Sequence, residues 1–160
     1  MPEIPPERIH VIPGGVGEEF HPKAANDVQR ARSRLKLDCP YILYVGTIEP
    51  RKNLQRLVES YERLIAKDGI REHLVLAGRL GWDYEGILAQ INSPALRDRV
   101  HLPGYIPQSD LPLLYAGARL FVYPSLQEGF GFPPLKAMAC GVPTIASLSS
   151  SLGENLEGAA

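Results

Sequence analysis

The stretch Tyr41-Ile42-Leu43-Tyr44-Val45-Gly46-Thr47-Ile48-Glu49-Pro50-Arg51-Lys52-Asn53-Leu54 decides the fold. Its first five residues are an unbroken apolar run that stops at Gly46, the pattern of a strand buried on both faces. From Asn53 the period changes. Leu54, Leu57, Val58, Tyr61, Leu64 and Ile65 recur at helical spacing, Glu59 and Arg63 pair four apart on the wet side, and Gly69 ends the pattern. A buried strand feeding an amphipathic helix is the first half of a βαβ unit.

Working outward, the rhythm repeats. Leu74-Val75-Leu76-Ala77 runs to Gly78 and is followed by a helix over 83–92; Val100-His101-Leu102 closes at Pro103-Gly104. Ser109 or Asp110 can cap a helix over 110–117, with Pro112 in its first turn. Leu120-Phe121-Val122-Tyr123 is another strand, a helix runs from Pro133 to Cys140, and Val142–Ala146 is the last strand. Upstream, residues 26–36 are helix-compatible and Ile9-His10-Val11-Ile12 is a short strand candidate ending at Pro13. The expected fold is α/β, a Rossmann-like doubly wound parallel sheet with right-handed crossovers. Residues 1–25 read as a lead-in segment and 26–160 as the domain. From Ser147 to Ala160 the chain is polar and Ser/Gly-rich, with no helix expected after the last strand, so the domain reads as cut short at its carboxyl end.

Composition narrows the function. Lys and Arg total 17 against 18 Asp and Glu, a formal charge of −1, so no long-range attraction to nucleic acid or an anionic membrane is built in. The 15 Gly and 15 Pro sit between apolar runs as turn punctuation. Cys39 and Cys140 are the only cysteines and form no C-x-x-C pair, which argues against a disulfide scaffold and a zinc site. His10, His21, His73 and His101 show no ligand spacing and read as structural. No apolar run reaches membrane-span length and the amino terminus lacks the order of a secretion signal, so a cytoplasmic location is expected.

Ligands of open parallel sheets bind beyond the carboxyl ends of the strands. Three loops there are chemically unusual. Arg51 and Lys52 stand at a helix start, where cations are disfavoured by about 0.3–1 kcal/mol; with Gly46 they either bind a doubly charged anion such as a diphosphate or extend into solvent. Glu128-Gly129-Phe130-Gly131-Phe132 before Pro133-Pro134 either offers a carboxylate and free amides to a sugar, or is a glycine turn whose phenylalanines plug the core. Gly104-Tyr105-Ile106-Pro107, beside Gly78-Arg79-Leu80-Gly81-Trp82, either holds a flat base or packs on other polypeptide. G-x-G-x-x-G, the P-loop, D-x-D and G-x-S-x-G are all absent.

Several motifs in order carry a resemblance. Tyr44–Leu54, Gly104-Tyr105-Ile106, Phe121-Val122-Tyr123-Pro124-Ser125, Glu128–Gly131 and Ala137–Pro143 resemble the retaining glycosyltransferases of family 4 (glycosyl transferases group 1), with most likeness to mannosyltransferase-type members that build bacterial surface polysaccharides. The resemblance implies the carboxy-terminal, donor-binding half of a GT-B fold. It implies a nucleoside-diphosphate sugar, GDP-mannose or a UDP-sugar, as donor, with no cofactor and no metal. Arg51, Lys52 and Glu128 match the catalytic positions; Gly46, Thr47, Arg79, Tyr105, Ile106, Gly129, Phe130, Gly131, Phe132 and Lys136 match donor-binding ones. It also implies a preceding acceptor-binding domain, without which this polypeptide transfers no sugar, an apolar face open to self-association, and a full-length protein at the inner membrane face. One position departs. The family's second glutamate, eight after the first, binds ribose hydroxyls; here it is Lys136, which has no acceptor.

Overall fold

The computed structural model describes residues 4–5, 8–10, 12 and 14–156. Five parallel strands form one sheet in the order β3 (Val100–Gly104), β2 (His73–Ala77), β1 (Tyr41–Val45), β4 (Leu120–Tyr123) and β5 (Thr144–Ala146). β1 is central, matched residue for residue with β2 from Tyr41↔His73 to Val45↔Ala77, and paired with β4 through Ile42↔Leu120 and Leu43↔Phe121. Among the described residues six α-helices connect and flank the strands: α1 (Ala25–Arg34), α2 (Leu54–Asp68), α3 (Glu85–Ile91), α4 (Leu111–Ala116), α5 (Phe132–Ala139) and α6 (Ser151–Leu156). The chain winds outward from β1 to β3, then returns across β1 to lay down β4 and β5. Between β1 and β4 the direction of winding reverses, the place beside which open α/β sheets bind their ligands.

The sequence pattern explains the packing. Leu54, Val58 and Tyr61 of α2 are buried in the core with Leu43, Tyr44, Leu74, Leu76 and Phe121. Gly69 ends α2 in a left-handed conformation, φ 59°, and donates its N–H to the Ile65 carbonyl at 3.1 Å. Buried tyrosines keep their hydroxyls satisfied: Tyr41 donates to the Leu114 carbonyl at 2.7 Å and Tyr44 to that of Thr47 at 3.0 Å, which shapes the loop after β1.

Four expectations change. Ile9, His10 and Ile12 carry no strand, and Val11 and Pro13 lie outside the described residues. Neither Ser109 nor Asp110 caps α4; Asp110 holds the cap position but gives its carboxylate to Arg34 of α1. Val142-Pro143 precedes β5 instead of opening it, since Pro143 has no N–H to give the ladder and only accepts from Phe121 at 2.9 Å. The segment after β5 is not a structureless tail. It forms α6, because Leu152 and Leu156 lie four apart and both reach the core.

Candidate functional site

At the β1/β4 reversal two loops pack against each other. After β1, Pro50–Lys52 make one 3-10 turn and Asn53 takes a left-handed conformation, φ 55°, before α2 begins. This geometry separates two adjacent cations. The Arg51 side chain stays 42% exposed, whereas Lys52 turns inward until only 8% of its side chain is accessible. After β4, the backbone of 124–131 crosses over them. Leu126 N–H donates to the Arg51 carbonyl at 2.9 Å, Asn53 Nδ2 to the Pro124 carbonyl at 3.2 Å, and Arg51 Nη1 to the Gln127 carbonyl at 2.6 Å.

Glu128 lies at the centre. Its Oε1 accepts from the Lys52 ammonium, from the Tyr123 hydroxyl at 2.9 Å and from the Ser125 hydroxyl at 2.6 Å. Lys52 also donates to the Tyr123 oxygen at 3.0 Å. Oε2 faces Arg51 Nη1 at 3.4 Å, and Arg51 Nη2 is held by Glu49 Oε1 at 2.6 Å. One carboxylate oxygen is therefore saturated and fixed, while the other can take a further donor. Lys52 has three N–H donors and uses two on these partners, which leaves one for an anion. Burial, helped by the Glu128 charge, pushes the Tyr123 hydroxyl far above its ordinary range, so it remains a donor at any working pH.

Burial also favours the neutral form of Glu128, but the bonds from Lys52, Ser125 and Tyr123 together outweigh it and hold the carboxyl below its ordinary value of 4.5. A depressed folded-state value stabilises the fold above the unfolded value and is lost as pH falls through the folded one. Unfolding midpoints followed by circular dichroism are therefore expected to drop on acidification below that ordinary value, and Glu128→Gln to flatten that part of the profile.

The glycine bend is tied from behind. Ser150 Oγ accepts from the Glu128 N–H at 2.8 Å, Ser151 Oγ donates to its carbonyl at 3.0 Å, and Asn155 Nδ2 donates to the Phe130 carbonyl at 2.6 Å. Gly131 starts α5 at φ 91°, with a position for Cβ only 2.3 Å from Leu152 Cδ2. Phe130 and Phe132 pack on each other, centroids 4.5 Å apart, and stay out of the buried core, which decides against the core-plug reading.

Beside this cluster, between the ends of β1, β2 and β3, is a cavity of about 290 Å³ lined by Gly46, Thr47, Gly78, Arg79, Tyr105 and Ile106 among others. The Arg79 guanidinium lies 4.8 Å from the Tyr105 ring centroid, making a flat cationic and aromatic wall. The predicted residues thus fall into two adjoining groups joined by the Gly46-Thr47 turn. Arg51, Lys52, Glu128 and Gly129–Phe132 form one, and Gly46, Thr47, Arg79, Tyr105 and Ile106 the other. Lys136 joins neither: its ammonium lies 4.6 Å over the Phe20 ring, and it makes no ion pair among the described residues. Sequence reasoning missed Tyr123, Ser125, Ser150 and Asn155. Tyr123 and Ser125 were visible as polar groups beside a strand end, whereas Ser150 and Asn155 lay hidden in the polar stretch that folds as α6.

Comparison with known proteins identifies the family. The chain is 47% identical over 115 residues to the O-antigen chain mannosyltransferase B of Escherichia coli, covering 71% of this chain and 30% of the relative. To the serotype-specific mannosyltransferase WbdA of Escherichia coli it is 38% identical over 156 residues, covering 95% and 19%. The chain thus spans less than a third of the length of these relatives. Among solved structures, it superposes on Anabaena Alr3699/HepE in complex with UDP and glucose with a TM-score of 0.75 at 23% identity, covering 88% of this chain and 38% of that one. On the carboxy-terminal domain of the group 1 glycosyl transferase LpcC from Francisella tularensis the TM-score is 0.71 at 26% identity, covering 88% and 74%. The fold is the Rossmann-like one that forms part of GT-B glycosyltransferases. The profile of the family described as glycosyl transferases group 1 matches residues 25–157, and the chain belongs to that family.

Proposed function

We propose that this domain binds a nucleoside-diphosphate sugar and presents it for metal-independent hexosyl transfer with retention, of the mannosyl type, in the synthesis of a surface polysaccharide or glycolipid. The observation that carries the reading is the meeting of Arg51, Lys52 and Glu128 with the glycine bend at the β1/β4 reversal, one turn from the cavity walled by Arg79 and Tyr105. The free donors of Arg51 and Lys52 meet the diphosphate, where negative charge develops as the glycosidic bond breaks. Glu128 Oε2 accepts from sugar hydroxyls beside the Gly129–Phe132 amides. The base and ribose occupy the cavity. The mannosyltransferase relatives favour GDP-mannose, while UDP in the Anabaena neighbour keeps a UDP-sugar open as donor.

Calorimetry with GDP, UDP and their sugars, with and without a chelator, tests this reading. Saturable binding unchanged by chelator is the expected result; no binding to any member, or binding that requires added metal, overturns it. The missing acceptor half of the cleft leaves the isolated chain without transfer activity, and turnover by the chain alone would contradict this. In the full-length protein the domain works in the cytoplasm, at the inner face of the membrane, next to an acceptor-binding domain.

Lys136 favours a second reading, a module that keeps the fold with a weakened grip on the donor. Its ammonium is parked on Phe20 and offers no acceptor for ribose hydroxyls. Lys136→Glu is expected to tighten nucleoside-diphosphate binding about tenfold, the worth of one charge-assisted hydrogen bond. Equal affinities would remove the idea, and turnover by the full-length protein separates enzyme from module.

A further inference from the structure

At the amino ends of the strands, opposite the diphosphate cluster, three metal-ligating side chains stand together. Cys39 precedes β1, His73 opens β2 and His101 lies in β3; one ligand atom of each falls within 4.8 Å of the others. His73 Nδ1 and His101 Nε2 are 2.8 Å apart. The ring planes differ by only 12° with centroids 5.0 Å apart, so the rings meet edge to edge, nitrogen facing nitrogen. Each ring turns one in-plane nitrogen toward the other, so that an N–H of one donates to the facing lone pair of the other. All three residues are half-buried, shielded yet reachable from solvent.

We propose that Cys39, His73 and His101 bind one borderline-soft divalent transition-metal ion, zinc(II) being the reference case, as a three-ligand site completed by water. Tetrahedral zinc with these ligands needs an N···N separation of about 3.3 Å and N···S of about 3.6 Å. To bind the ion the nitrogens must part by about half an ångström, both rings must tilt so that their lone pairs meet at the ion instead of at each other, and the sulfur must turn to bonding distance. On binding, the proton between the rings moves to the other nitrogen of its own ring and the thiol proton leaves to solvent, so one proton is released per ion. Arg99 opposes the ion by its charge, but its Nη2 is already committed to the Ile70 carbonyl at 2.6 Å and the Glu72 carbonyl at 3.4 Å. The ion pins the amino ends of three neighbouring strands, a structural role independent of donor binding. The spacing of these residues along the chain could not reveal it, since parallel pairing alone makes them neighbours.

Cobalt(II) titration of the reduced, chelator-treated chain is the test. We expect one equivalent to give a thiolate-to-cobalt charge-transfer band and intense tetrahedral visible bands, both removed by zinc. Cys140 is buried and its thiol pushed up to about 11, so the band reports Cys39. Cys39→Ser is expected to abolish the charge-transfer band and His101→Gln to weaken binding at least tenfold. In the unsubstituted chain, zinc should slow alkylation of Cys39 by iodoacetamide at least tenfold, a measurement that needs no variant to fold. Absence of the thiolate band, unaltered binding in both variants, or equal alkylation with and without zinc would overturn the site, and none of these outcomes touches donor binding.

Discussion

Lys52→Ala is expected to lower nucleoside-diphosphate affinity by about 100-fold and to cost on the order of 3 kcal/mol of stability. The two losses have different origins. Stability falls because Glu128, whose side chain is only 10% exposed, would lose its closest cation and keep only Arg51 at 3.4 Å. Affinity falls because the one unused ammonium donor disappears from the diphosphate position. A double substitution separates them. Adding Glu128→Gln to a Lys52→Met background removes the uncompensated charge, so the melting temperature should recover by more than half while affinity stays low. Recovery of both together would mean that Lys52 acts only as a structural counter-ion. Lys52→Arg is expected to do worse than its charge suggests, because a guanidinium does not fit between the Tyr123 hydroxyl and Glu128 Oε1, where an ammonium sits now.

That distinction between neighbours was not legible in the sequence. Arg51 and Lys52 are adjacent cations on one loop, and nothing in their order says that one is a surface contact of Glu49 and the other is buried. The 3-10 turn begun by Pro50 decides it, and such a turn is fixed by tertiary closure over 124–131. The strand and helix on either side were legible, because unbroken apolar character and a 3.6-residue stripe are local and redundant signals: β1 spans the expected residues and α2 starts and stops where Asn53 and Gly69 indicate. Helix α6 was missed for the opposite reason. Two leucines among serines and glycines form too narrow a stripe to stand out, although Leu152 and Leu156 are both buried. Lys136 was noticed as an odd residue, but its resting place over Phe20 depends on a lead-in segment whose path the sequence does not specify.

Gly78→Val is expected to be the most damaging glycine substitution near the cavity, lowering stability by about 3 kcal/mol and abolishing detectable nucleotide binding. A Cβ on Gly78 would lie 1.9 Å from the Gly46 carbonyl oxygen and 2.7 Å from its carbon. Both obstacles are backbone, so no rotamer change relieves the overlap. The ends of β1 and β2 would have to part, straining the Gly46 N–H bond to the Ala77 carbonyl and the Gly78 N–H bond to the Gly104 carbonyl, each 2.9 Å long. Because Gly46 and Gly78 also line the 290 Å³ cavity, the same displacement distorts the wall that Arg79 and Tyr105 form. Gly86→Ala is the matched control. It lies in α3 with nothing within 4 Å of its Cβ position, so alanine should stabilise by up to about 1 kcal/mol through helix propensity. Thermal melts of the two variants should therefore move in opposite directions, Gly78→Val by roughly 10 °C downward. If Gly78→Val melted with the parent and still bound nucleotide, the close approach of these two strand ends would not be what shapes the cavity.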